Sequence, residues 1–546
     1  MSENCPGGPG DATTASTLPR AATPADIRGV PRPESRIPPP DSPAIQWRGE
    51  ARDRLAGGIF DLLVIGGGIT GAGIARDAAL RGMSVALVEQ DDFGGGTSSR
   101  SSRLVHGGVR YLEHGHLKLV FEASRERRTL LRIAPQLVRP LQFTWPVYER
   151  ARLPRWKVRA GLALYDALAM FRNVGRHRGL SIAQVLDAEP GLRTPGLTGG
   201  ASYWDAATDD AALTLANVLD ARAAGAVVLN HAAMQSFVTD RDAIIGANVR
   251  DELSGRLIPV RAQIVVNATG PWTDAIRRME DPSAAAAVLG TKGVHIAVPA
   301  ERVGNRAAVT MLAPSDARVM FCLPAGDLTI IGTTDTHTNA VPAEVRATRD
   351  DVSYLLEAVN RYFPAAQLGP RDVVAAWAGI RPLVSSGNQG DPAAASREHA
   401  ITTGSRGVIA ITGGKLTTYR EIAEQVVNRV AQRLGRTTGP CITATTPITG
   451  VERTPVFGQL FEPILEGRAW TLGHAARAVQ QELACTLADI LIRRTKVAFA
   501  SRDHGIPAAP RVAAAVARHA GWDAAECARQ VEAYRAEVAR LFTIDD

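Results

Sequence analysis

The sequence predicts an α/β fold. A parallel sheet is assembled from separated stretches of chain, an antiparallel sheet is interleaved with it, and a small all-helical domain ends the chain. Three observations point there. A glycine-rich turn stands between two apolar strands within residues 61–89. Two further apolar strands, at 262–270 and 407–415, each run into a glycine corner. From about Thr446 the glycines thin and alanine-rich helical periods take over.

The first element is Leu62-Leu63-Val64-Ile65, an unbroken apolar run that suits a parallel strand covered on both faces. Gly66-Gly67-Gly68-Ile69-Thr70-Gly71 then supplies G-x-G-x-x-G at a strand-to-helix turn. Gly66 permits the tight turn, Gly68 lets a pyrophosphate approach the backbone, and Gly71 allows close packing of helix on strand. The positive end of the helix faces the phosphates. Ile74, Ala75, Ala78 and Ala79 mark the buried face of that helix, Gly82 its stop, and Ser84 to Val88 the second strand. Glu89 ends the strand, where a carboxylate takes both hydroxyls of an adenosine ribose and disfavours a 2′-phosphate. That reading leaves FAD and NAD and sets NADP aside.

Ala262 to Gly270 is the next buried strand, with Thr269 and Gly270 forming a small corner open to close approach. Gly407 to Lys415 is another, followed by a helix predicted over Leu416 to Arg433. These corners converge on one ligand if the Rossmann-type sheet is discontinuous. Between them, Val294–Val298, Val319–Leu323 and Leu328–Gly332 are short strands bounded by Pro and Gly, the texture of an antiparallel substrate domain. Leu472, Ala475, Val479, Leu483, Leu487 and Leu491 predict one helix of five turns, and residues around Val512–Val516 and Ala524–Val538 two more. The expected domains are a disordered Pro/Gly-rich extension over 1–57, the nucleotide-binding and substrate domains over 58–445, and a helical domain over 446–546. The extension has too few aliphatic residues to offset its ordering entropy.

At 546 residues, with 45% apolar residues, the chain has the length of two or three domains and the composition of a globular protein. No apolar run reaches the ~18 residues of a spanning helix. Five scattered cysteines, without C-x-x-C or finger spacing, argue against a disulfide framework and against a metal site. A net charge of +7 fits a plain solvated surface, an anionic substrate or an anionic membrane. Nucleic acid is a poor partner, since aromatic content is 5% and no reader motif appears.

The segment Thr97-Ser98-Ser99-Arg100-Ser101-Ser102-Arg103-Leu104-Val105-His106-Gly107-Gly108-Val109-Arg110-Tyr111-Leu112-Glu113 resembles the signature of the FAD-dependent glycerol-3-phosphate dehydrogenases, within the D-amino-acid-oxidase-like FAD oxidoreductases. Asn267-Ala268-Thr269-Gly270-Pro271-Trp272, Lys292-Gly293-Val294-His295, Ile331 to Asp335, Gly379 to Leu383 and Gly413 to Tyr419 match in the family's order. The resemblance implies a discontinuous Rossmann-type FAD-binding domain. It also implies oxidation of sn-glycerol 3-phosphate to dihydroxyacetone phosphate, with hydride moving from C2 to flavin N5 and electrons passing to a membrane quinone. An oxidase using O2 and making H2O2 is the alternative. Val294 stands where the family usually carries Ser or Thr, which predicts a missing hydroxyl near the site.

A phosphate dianion calls for fixed cations, and arginine's planar fork suits it best. The expected substrate contacts are Arg110, Tyr111, Arg381 and Lys415; the expected catalytic residues are Arg381, His106 and His295. The expected cofactor contacts are Gly66, Gly68, Gly71, Glu89, Thr97, Ser98, Ser99, Thr269, Gly270, Gly414, Lys415, Thr417 and Thr418. Arg152, Arg155, Lys157 and Arg159, beside Trp156 and the apolar run Leu162 to Phe171, predict peripheral attachment to the inner face of the cytoplasmic membrane from the cytoplasmic side. The C-terminal helices serve packing or oligomerisation, with a homodimer as the candidate assembly.

Overall fold

A strand with no polar residue between Leu62 and Ile65 is stable only with both faces covered, and the chain supplies the cover on each side. In this computed structural model, described over residues 46–385, 398–435, 437–449 and 461–546 apart from the side chains of Arg110 and His114, β1 (Ile59–Ile65) is buried at six of its seven positions. α1 (Gln46–Gly57) precedes it; α2 (Ile69–Leu80) and β2 (Val85–Val88) follow. β3 (Val227–Leu229), β4 (Leu257–Asn267) and β5 (Ile409–Gly413) complete a parallel sheet in the order β5–β4–β1–β2–β3, with His399–Thr403 antiparallel at its edge. α3 (Tyr419–Leu434) lays Ile422, Val426, Val427 and Val430 on the same core. The discontinuous Rossmann layer is therefore present, its strands drawn from widely separated segments.

The second sheet is built from the intervening segments. Val288–Pro299 pairs antiparallel with Ala375–Val384 on one side and Leu328–Gly332 on the other. The sheet is antiparallel except where Ala308–Leu312 runs parallel to Val138–Tyr148.

Two expectations are corrected. The disorder expected over 1–57 does not hold for 46–57: α1 is a helix whose Trp47, Ala51 and Leu55, spaced by four, pack on the parallel-sheet core. Arg48 is buried with them and pairs with Asp251 at 2.7 Å. Residues 1–45 lie outside the described residues. The five-turn helix from Leu472 is also broken. α4 (Leu472–Gln481) stops before Leu483, which takes a left-handed φ of 59°, and Asp489–Arg494 forms a separate wide turn.

α5 (Ala509–Ala520) and α6 (Ala524–Phe542) follow as expected. The C-terminal helices have no core of their own, however. Leu472, Val479, Leu491, Val512 and Val538 cluster with Trp145, Tyr203 and Trp377 of the second sheet. Ile544–Asp545 then pairs with Ala347–Thr348.

Candidate active site

One cavity of about 740 Å³ is lined from both sheets and, from the C-terminal helices, by Arg540 of α6. At one end the β1–α2 turn forms its wall. Gly66 has φ +104°, and a Cβ there would stand 2.7 Å from the Ala268 carbonyl oxygen; a Cβ on Gly71 would meet the Gly66 oxygen at 1.9 Å. Only glycine permits that approach of helix to strand. α2 begins without a side-chain cap, so its first turn presents amides to the cavity, apart from the Ile69 amide, which donates to Ser98 Oγ at 3.0 Å. Glu89 is oriented by the amides of Gly67 and Asp91, at 2.6 and 3.0 Å, while burial pushes its carboxyl up to about 7.

The other end is cationic. Arg381 is anchored by Asp335 at 2.9 Å, by Thr333 Oγ1 at 2.7 Å and by the Thr334 carbonyl at 3.1 Å. The lack of a side chain on Gly293 makes room for it, since a Cβ would lie 2.3 Å from Arg381 Nη2. The ammonium of Lys415 sits 3.7 Å from the Tyr111 ring centroid. His295 is buried and stacked on Trp377, with Nε2 at 2.8 Å from Ser102 Oγ. Burial, then the charges of Arg381 and Arg103, hold its imidazole down to about 3, so the ring is neutral. Its Nδ1 is buried without a hydrogen-bond partner. His106 is held through its backbone, whose amide donates to Thr417 Oγ1 at 3.1 Å and whose carbonyl accepts from that hydroxyl at 3.2 Å. The next residue, Gly107, donates its amide to Asp205 at 3.1 Å, and Asp205 is itself bonded to Tyr165 at 2.7 Å and paired with Arg127.

Of the sequence-predicted residues, Gly66, Gly68, Glu89, Thr97, Ser98, Thr269, Gly270, Gly414, Lys415 and Thr417 line this cavity, as do His106, Tyr111, His295 and Arg381. Gly71, Ser99 and Thr418 do not: Gly71 serves helix packing, and the other two are buried beside the cavity. The Arg110 side chain lies outside the described residues. Val294 corrects the expected missing hydroxyl. It is fully buried, points to the core opposite Gly293 and His295, and so takes nothing from the cavity wall. Ser102, Trp272 and Thr333 join the lining from motifs already visible in the sequence, whereas Asp205, Phe321 and Arg540 come from segments without such a signal.

The residues fit a flavin dinucleotide: a glycine cradle and a ribose-type acid at one end, a neutral histidine and cations at the other. Among the described residues no cluster of His, Cys, Asp or Glu is placed to hold a metal ion.

Residues 61–420 match the family model described as FAD dependent oxidoreductase, and residues 404–527 that of the C-terminal domain of alpha-glycerophosphate oxidase. A glycerol-3-phosphate dehydrogenase of Synechocystis is 36% identical over 87% of this chain and 95% of its own. Glycerol-3-phosphate dehydrogenase 2 of Mycobacterium tuberculosis is 36% identical over 91% and 90%. The crystal structure of a Bacillus halodurans glycerol-3-phosphate dehydrogenase complexed with FAD superposes with a TM-score of 0.73 at 31% identity, covering 91% of this chain and 98% of that one.

Proposed function

Since the chain belongs to the FAD-dependent glycerol-3-phosphate dehydrogenase family, we propose that it oxidises sn-glycerol 3-phosphate to dihydroxyacetone phosphate and delivers the electrons to a quinone in the membrane. The observation that carries the reading is the single cavity joining the Gly66–Glu89 cradle to the cationic end at Arg381 and Lys415. Bound FAD supplies the acceptor for the hydride of C2.

The chain's own residues do the rest. Gly66, Gly68 and the first turn of α2 receive the pyrophosphate, and Glu89 the ribose. Lys415 and Tyr111 take the phosphate, and Arg381 lowers the energy of the oxyanion that forms at C2. His295 accepts the C2 hydroxyl proton at a ring nitrogen. With a pKa near 3 it is a weak base, and the incoming phosphate dianion brings the negative charge that strengthens it. His106 is the second candidate for that proton.

A surface feature supports a membrane acceptor. On the helix Arg155–Leu168 and the turn after it, Trp156, Ala160, Ala163, Leu164, Ala167, Met170 and Phe171 are all exposed, with Trp156 at 67% and Phe171 at 61%. Exposed Lys157, Arg159, Arg172 and Arg176 border that stripe. Arg152 and Arg155, expected to share this role, are instead engaged with Glu113 and with the Leu180 and Thr198 carbonyls. Apolar side chains ringed by cations suit an anionic bilayer met from the cytoplasmic side. No described helix is long and apolar enough to cross a membrane.

The test is anaerobic addition of glycerol 3-phosphate to purified protein, followed by a soluble quinone or oxygen. The flavin band should bleach and return faster with quinone. An unbleached flavin overturns the substrate, and faster return with oxygen overturns the acceptor in favour of an oxidase.

A further inference from the structure

Residues 89–103 form the cavity wall that runs from the ribose acid towards the second sheet, with Glu89, Thr97, Ser98, Ser101 and Ser102 in the lining. Three other points on or behind this wall are gripped by the C-terminal segment Asp489–Phe499. Asp92 is fully buried and does not line the cavity. It accepts two hydrogen bonds from Arg494, at 2.5 and 2.9 Å, and one from Arg493 at 2.6 Å. Lys496 donates to Asp209 at 2.9 Å and to Asp210 at 3.0 Å. Asp210, also fully buried, accepts the Ser101 amide at 3.1 Å and its hydroxyl at 2.8 Å. Arg103, at the end of the wall, lays its guanidinium 4.9 Å over the Phe499 ring.

Core packing alone does not account for this segment. Buried ion pairs rarely add stability over apolar residues of the same volume, because each charge forfeits its hydration. Lys496 moreover adopts a left-handed φ of 53°, a conformation that costs energy for a side chain of its kind. Both costs fall where the segment meets the cofactor wall.

We propose that Asp489–Phe499 is a positioning element of the flavin site. Arg494, through Asp92, and Lys496, through Asp210 and Ser101, hold the 89–103 wall in the shape that retains FAD. The C-terminal helical domain thereby sets how tightly the cofactor is held. This rests on the flavin reading above, and neither cation lines the cavity.

The experiment follows FAD release from purified holoprotein by flavin fluorescence after dilution, beside the melting temperature of the cofactor-free protein. Lys496→Met and Arg494→Lys should release FAD about tenfold faster or more. Lys496→Arg should keep most of the wild-type retention, and excess FAD should restore the flavin spectrum of every variant. A lowered melting temperature with unchanged FAD release overturns the proposal, because the segment then serves only the core. If Lys496→Met gives no soluble protein, Lys496→Gln and Arg494→Lys decide by the same criterion. A wild-type protein that takes up no FAD removes the flavin reading instead, so the two failures are distinguishable.

Discussion

At the scale of single residues, Gly293 matters as much as the arginine it makes room for. An alanine there collides with Arg381 Nη2 and lifts the guanidinium off Thr333 and Asp335. Gly293→Ala should therefore resemble Arg381→Ala, each lowering kcat/KM for glycerol 3-phosphate roughly 10- to 150-fold with flavin content kept. Full activity in Gly293→Ala would show that Arg381 does not act from this position. Lys415→Ala should raise KM for glycerol 3-phosphate and spare residual turnover of glycerol, which has no phosphate; equal losses on both would assign Lys415 to the fold. Glu89 offers a test by pH. Between pH 4.5 and about 7 the folded, cofactor-free protein keeps a proton that the unfolded chain has released, so stability falls as pH rises through that window. Glu89→Gln should remove that slope from melting temperature against pH, and an identical profile would refute the raised carboxyl. His295 works in the opposite sense, its contribution to stability being lost as pH falls from 6.5 towards about 3. Glycines and charged residues inside motifs are legible in sequence because each has a narrow chemical reason. The face that Val294 presents is not, since it depends on the register with Ala375–Val384.

At the scale of elements, α1 shows what composition hides. Its sequence is mostly polar, and only Trp47, Ala51 and Leu55 carry the helical spacing, so the segment looks like part of the Pro-rich stretch before it. Once folded it buries Leu55 completely and ties Arg48 to Asp251 and Asn230. A chain beginning at residue 58 should consequently be less stable than one beginning at residue 46. Leu55→Ala alone should cost about 2–5 kcal/mol by denaturant titration. Equal midpoints for the two truncated chains would mean that α1 adds nothing. The broken helix after α4 misleads for a different reason. Its leucines keep their spacing across the break, but Cys485 and Thr486 turn their amides to Asp489, and Arg493 and Arg494 face inward to Asp92. Apolar periodicity carries no record of buried ion pairs.

At the scale of the whole molecule, the order of the two sheets is readable from their different textures, an unbroken apolar run for one and short Pro- and Gly-bounded strands for the other. The fusion of the C-terminal helices with the second sheet is not, because shared cores leave no local mark. The exposed stripe from Trp156 to Phe171 makes a prediction here: the protein should sediment with anionic vesicles and be released by salt. Trp156→Ser with Phe171→Ser should weaken this more than Lys157→Gln with Arg159→Gln, each cation contributing on the order of 1 kcal/mol. Sedimentation unchanged in both double variants would move the contact to another surface. The parallel sheet has one more consequence, which concerns synthesis. After β1 leaves the ribosome, β4 follows roughly 190 residues later and β5 roughly 340 residues later, some 10–40 s and some 20–70 s at ordinary elongation rates. Until β4 emerges β1 has one edge open and its apolar faces incompletely covered, the condition under which nascent chains stick to one another. Pairings so distant in sequence also form slowly. The cofactor cradle is thus begun long before it can be finished, its first strand waiting on a partner made much later.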